Sequence, residues 1–321
     1  MNRVTRLGTL ALVLAVLCPS STLASGPPLR AGDPSWSPDA QRIAFDASSP
    51  GRTSDIYVVN IDGTGLLKLT AGDAGVNVLP SWGRRIEHIA YATDLSTSQV
   101  ADVRYSLVRP DGTATSALAR STAVGPVHWS RGDRYIAFDG RFEARIHALA
   151  TGTNRLIVPA QSGPWAPRTL RLALGVEVGS NTHLVTAAAD GKERRRLTSG
   201  REGVRPLAWS PDGKAILFDA SRGAAPVYGL YVVHVRDARV VRLSAAAHQG
   251  DFSPSGRRVV YSRETGGILT VALDGSGRRL LTGDGVMPRW SPNGRWIAFQ
   301  AGARIDLIRP DGSNRHPLVG S

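Results

Sequence analysis

Cysteine is almost absent. Cys18 is the only one in 321 residues, which excludes a disulfide framework, a cysteine metal cluster and a thiol nucleophile in the body of the chain. Lysine is nearly as scarce: Lys68, Lys192 and Lys214 stand beside 36 arginines, so the formal charge of +13 is carried by guanidinium groups. No Gly-x-Ser-x-Gly elbow, phosphate loop or His-Glu-x-x-His zinc helix occurs. The carboxylates fall mostly in turn positions and give no sign of an acid/base pair. Long apolar runs are missing too, apart from residues 7–17, whose length covers only about half of a ~30 Å hydrocarbon layer.

That short run belongs to a leader. Arg3 and Arg6 precede it and Thr22-Leu23-Ala24 follows, so residues 1–24 read as a secretory signal and the chain is expected to be exported, to the periplasm or outside the cell. Cys18 raises lipid anchoring as an alternative, disfavoured because Leu17 rather than a small residue precedes it. Residues 25–33 read as a linker, and no transmembrane segment is expected after removal of the leader. What the rest has in plenty is glycine and proline, 35 and 20 residues. That is a turn-dense composition, and with 42% hydrophobic residues the chain can bury a full core.

The turns recur with a period. Trp36, Trp82, Trp129, Trp165, Trp209, Phe252 and Trp290 open successive units at intervals of 46, 47, 36, 44, 43 and 38 residues, the range of four-strand propeller blades. Each opening is followed by a short apolar strand, such as Ile43-Ala44-Phe45, Ile136-Ala137-Phe138 or Ile297-Ala298-Phe299. Ser37-Pro38-Asp39 and its counterparts join the first strand to the second. Asp62-Gly63 and four similar pairs read as two-residue hairpin turns between the third and fourth strands. A four-strand meander cannot bury both faces alone, and a radial stack of them can. Residues 34–321 are therefore expected to form an all-β propeller of seven blades, with six as the alternative. The aromatic openings are expected to be packing residues.

These motifs resemble the TolB-type, WD-like propeller repeat, with Trp-Ser-Pro-Asp-Gly, Ile-Ala-Phe, Ile-Tyr-Val, Asp-Gly and Leu-Thr in sequence. The resemblance covers residues 34 to about 319 and is weakest in unit two (Gly83-Arg84-Arg85) and unit four (Trp165-Ala166-Pro167-Arg168). Members of the periplasmic Tol–Pal type carry an α/β domain ahead of the propeller. Only about nine residues separate the leader from the first unit, so the resemblance implies a propeller-only relative. Similar repeats also occur in proteases with an added catalytic domain and in metal-dependent polysaccharide lyases.

The residue before each opening aromatic should line the central channel. Those positions are Ser35, Ser81, His128, Pro164, Ala208, Asp251 and Arg289. His128, Asp251 and Arg289, with His248 on the approach to its inner strand, form the most polar cluster there and are the candidate binding residues. Two histidines fall short of the three protein ligands usual at a catalytic metal, so no metal or cofactor is expected. Basic residues share one position after the first turn (Arg134, Lys214, Arg257, Arg295) and flank the second (Arg194-Arg195-Arg196, Arg278-Arg279, Arg109). Both turns fall on one face of the disc, which should be basic. The expectation is a monomeric, non-catalytic scaffold binding a protein or an anionic envelope polymer, with nucleic acid disfavoured by export. The alternative is an envelope polysaccharide lyase or hydrolase working at the channel mouth.

Overall fold

The computed structural model describes residues 29–70, 75–97, 101–157, 159–199, 202–221 and 228–320. The leader and Cys18 lie outside the described residues. Among the described residues, twenty-eight strands form seven sheets, each of four antiparallel strands taken consecutively from the chain. The architecture is a seven-bladed propeller in which every blade is complete in sequence. The innermost strands are Arg30–Trp36, Val76–Trp82, His128–Trp129, Ala160–Trp165, Glu202–Trp209, Ala247–Phe252 and Val286–Trp290. The first begins at Arg30, so the strand takes in the end of the stretch expected as linker.

The turns follow from local chemistry. In Ser37-Pro38-Asp39 the buried serine hydroxyl accepts the N–H of Arg42 at 2.9 Å and donates to the Asp39 carboxylate. Ser210 and Ser291 repeat the arrangement with Ala215 and Trp296. The second hairpin is longer than the sequence suggests. Asn60 N–H pairs with Thr64 O at 3.0 Å, so the loop holds three residues, and Gly63 takes φ +82°. A three-residue loop closes best on a left-handed residue, which glycine supplies without strain. The Asp-Gly pair is thus the end of a three-residue loop, where a two-residue turn was expected.

No blade has a core of its own. Seven buried clusters each combine residues of two neighbouring blades, for example Ala44, Ile56 and Leu69 of blade 1 with Trp82, Ile89 and Tyr91 of blade 2. Apolar area leaves water only when blades stack, at about 25 cal/mol per Å². The tryptophans sit in these seams. Trp36, Trp82, Trp129, Trp165 and Trp290 are buried and Trp209 is half-buried. The indole N–H of Trp129 donates to Ser81 O at 2.9 Å and that of Trp209 to Pro164 O at 2.8 Å, each reaching the preceding blade.

The closing seam uses the same parts. Trp36 Nε1 donates to Arg289 O at 3.1 Å, and Ala31 N–H donates to Ala303 O at 2.8 Å. Ala31, Trp36 and Phe45 share one cluster with Ala298, Ile305 and Leu307 of blade 7. The ring closes by packing its first blade on its last, with no strand exchanged between them.

Candidate functional site

The seven inner strands converge on an axial cavity of about 690 Å³. Its lining comes from every blade. It includes the aromatic openings and prolines of the first turns such as Pro38, Pro211 and Pro292, which places its mouth on the turn face. Three of the four residues picked from the sequence line it: His128, Asp251 and Arg289, all half-buried. They are held there by register. Each immediately precedes the aromatic that anchors its strand in the seam, so its side chain points to the opposite side, the axis.

The fourth, His248, is not part of the lining. The inner strand of blade 6 carries a bulge between His248 and Gly250, with Gln249 left-handed at φ +52°. His248 lies three residues before Asp251 on that strand, across the bulge. His248 instead lies within electrostatic reach of Asp219, on the blade 5 side.

Arg289 organises the charges of the cavity. Its guanidinium acts on His128, Asp251 and Asp33. Burial first, and then the Arg289 charge, hold the His128 imidazole down at about 4, so at pH 7 the neutral ring offers one donor and one acceptor nitrogen. Burial raises Asp251 above the ordinary carboxylate range, while Arg289 and the N–H groups of Trp290 and Phe252 oppose the rise. One Asp251 oxygen is already committed to Trp290 N–H at 3.0 Å, a bond to the next blade. Ser35 does the same for Trp82 N–H at 3.0 Å. Asp251 is therefore partly a seam residue. Such an axis can seat a polar or anionic group against Arg289 and His128, walled by proline and tryptophan.

Two charged lining residues escaped the sequence reading. Asp33 reaches the cavity because a bulge between Gly32 and Ser35 puts it at φ +46°, and Arg84 because unit two replaces the Ser-Pro-Asp turn. A second missed set meets the bulged inner strands of blades 2, 4 and 6. Asp46, Asp139 and Asp219 each follow the apolar-aromatic motif of a second strand and accept a backbone N–H of the next blade's inner strand, from Leu79, Ser162 and Gln249 respectively. The recurring Phe-Asp pair in Phe45-Asp46, Phe138-Asp139 and Phe218-Asp219 was the available signal. Burial, with repulsion from Asp33, pushes Asp46 up to about 7. Among the described residues, no group of three or more His, Cys, Asp or Glu side chains is placed to hold a metal ion.

The turn face is basic as expected. Arg109, Arg134, Arg194, Arg195, Arg196, Lys214, Arg257, Arg278, Arg279 and Arg295 are all exposed on it. Its aspartates are occupied locally: Asp62, Asp111, Asp274 and Asp311 accept the N–H and hydroxyl of a following Thr or Ser, and those bonds lower their pKa values.

The family model for the TolB beta propeller domain matches residues 88–321. The Tol-Pal system protein TolB of Anaeromyxobacter dehalogenans (strain 2CP-C) is 31% identical over 195 residues, covering 59% of this chain and 38% of that protein. The chain thus spans well under half the length of the curated relatives it matches. Among solved structures, TolB from Acinetobacter baumannii superposes with a TM-score of 0.54 at 16% identity, covering 86% of this chain and 76% of that one. An oligogalacturonate lyase from Vibrio parahaemolyticus superposes with a TM-score of 0.62 at 11% identity, covering 90% of each. At such identities each likeness shows the fold alone. Among the described residues no helix is long and apolar enough to cross a membrane.

Proposed function

This chain belongs to the TolB β-propeller family, and from that membership we propose that it is an exported, non-catalytic scaffold that binds a protein or an anionic polymer of the cell envelope through its turn face. One observation carries the reading. The axial cavity opens on the face whose arginines are exposed and whose aspartates are consumed by their own turns. A multi-loop face with a polar, partly cationic centre suits recognition of an acidic surface by charge and shape. The likeness to TolB of the Tol-Pal system supports an envelope setting.

The test is a photo-crosslinking amino acid placed at Arg84, on the cavity mouth, or at Glu177, exposed on the far face. The protein is then irradiated in intact cells of its own host. The scaffold reading expects adducts to an envelope component from position 84 and none from position 177. Turnover of an envelope polysaccharide by the purified protein, lost on changing His128 and Arg289, would replace it with the lyase or hydrolase reading.

A further inference from the structure

The exposed cations of the turn face are not spread evenly. Blade 1 contributes little: its first turn carries Asp39, its second carries Asp62, and Arg42 is stacked on the Trp82 ring at 5.1 Å. From blade 3 to blade 7 the arginines are tied into an arc. Arg131 of blade 3 donates to Arg168 O of blade 4 at 2.8 Å, and Arg195 of blade 4 to Arg236 O of blade 5 at 2.7 Å. Arg278 of blade 6 reaches back to Leu243 O of blade 5 at 2.7 Å, and Arg279 reaches forward to Asp311 O of blade 7. A carbonyl takes one donor and cancels no charge. Each guanidinium is thus positioned by the neighbouring blade while its remaining donors stay available. Among the described residues none of these four arginines forms an ion pair.

From this geometry we infer that the arginine arc of blades 3 to 7 is a track for a soluble linear polyanion bearing phosphate or carboxylate groups, laid around the channel mouth. The inference rests on the turn face being the binding face and names the chemistry of its ligand. Guanidinium forks match both anions, and a row of them suits a repeating charge better than a single one. A lipid surface fits less well. Leu156 and Leu280 on outer strands are the exposed large apolar side chains beside the arc, whereas Phe142 and Val178 are exposed on the opposite face. The apolar side chains of the blade 3–4 seam, such as Tyr135, Leu149 and Leu170, line a recess rather than project from the face. The arc therefore holds its ligand by charge, and binding must weaken steeply with salt.

The experiment measures binding of linear inorganic polyphosphate to the full chain across a salt series, with neutral dextran and phosphatidylglycerol vesicles in parallel. The wild type is expected to bind polyphosphate with log Kd rising linearly with log salt, and to ignore dextran. Changing Arg194, Arg195 and Arg196 together to Gln should raise Kd on the order of tenfold and make the salt slope shallower by about two to three. Changing Arg52 and Arg141, exposed on the opposite face, to Gln should leave Kd within about twofold, because distant exposed charges are screened. Melting temperatures confirm that both variants fold. Equal weakening by the opposite-face variant, binding insensitive to salt, or binding to vesicles but not to polyphosphate would each overturn the arc. Persisting crosslinks from position 84 alongside such a failure would spare the scaffold reading, whereas losing both would remove the two together.

Discussion

The two faces of the disc use the same residue types in opposite ways. On the face of the second-to-third-strand loops, cations are matched with carboxylates: Lys68 with Asp55 at 2.5 Å, Arg120 with Asp102 at 2.7 Å, Arg145 with Glu143 at 2.7 Å and Arg205 with Asp219 at 2.8 Å. On the turn face Asp62, Asp111, Asp274 and Asp311 are bound to their own turn residues, and Arg131, Arg195, Arg278 and Arg279 donate to carbonyls. The ion pairs there include Arg171 with Glu193 at 2.9 Å and the exposed Lys214 with Asp212 at 3.8 Å. Composition alone would not separate the faces. What does is which groups the backbone has already claimed, and the contrast points to a structural face and a recognition face.

The largest effect should be one that neither face escapes. Trp129→Ala empties a seam between blades 2 and 3 and should cost about 3–5 kcal/mol in denaturant unfolding. A loss confined to one face, leaving the other protected from hydrogen exchange, would show that the faces are not one cooperative unit.

The contrast between faces sharpens with two aspartates. Asp219 is fully buried and accepts two Arg205 donors and the Gln249 N–H. Asp219→Ala should cost about 2–3 kcal/mol, since buried donors lose their acceptor. Asp212→Ala, on the turn face, removes the turn bonds from Lys214 N–H and the Ser210 hydroxyl, which can rotate to other acceptors, and should cost about 1 kcal/mol. Equal costs would erase the distinction.

Asp46 gives the pH dependence. Its ordinary value is 3.8 and burial in the folded chain raises it to about 7. The folded state therefore favours the protonated acid. That contribution is complete below pH 3.8 and is lost as pH rises through about 7. Asp46→Asn keeps an oxygen for the Leu79 N–H and cannot ionise. It should melt above the wild type at pH 8, with the difference closing by about pH 4. A constant difference across that range would deny the raised pKa.

The smallest effect belongs to the face proposed for binding. Arg257→Gln and Arg295→Gln should each change stability by less than about 0.5 kcal/mol, leaving these exposed arginines free to serve binding.

Much of this was legible in the sequence, for a physical reason. A stacked repeat writes its seam residues at fixed spacing, so Trp36 to Trp290 disclosed the blades, and the position before each aromatic disclosed His128, Asp251 and Arg289. His248 was chosen for its closeness to the inner strand alone, and it lies within that strand, three residues before Asp251 and across the bulge at Gln249. Asp33 was missed because residues 25–33 were read as a linker ahead of the first unit, whereas the first inner strand begins at Arg30. Asp46, Asp139 and Asp219 were missed because a polar residue ending an apolar run resembles a strand terminus. Their partners are backbone N–H groups one blade away, invisible in the local sequence. The carbonyl links of the arc are likewise contacts between backbone and side chain across blades, which spacing does not encode.

The most direct test of the division between faces is arginine footprinting with phenylglyoxal, comparing the purified chain with the same chain in its host's envelope fraction. Protection of Arg84, Arg257 and Arg295, with Arg52 and Arg141 labelled equally in both samples, is the predicted result. Protection of Arg52 and Arg141 with the turn-face arginines fully labelled would contradict it.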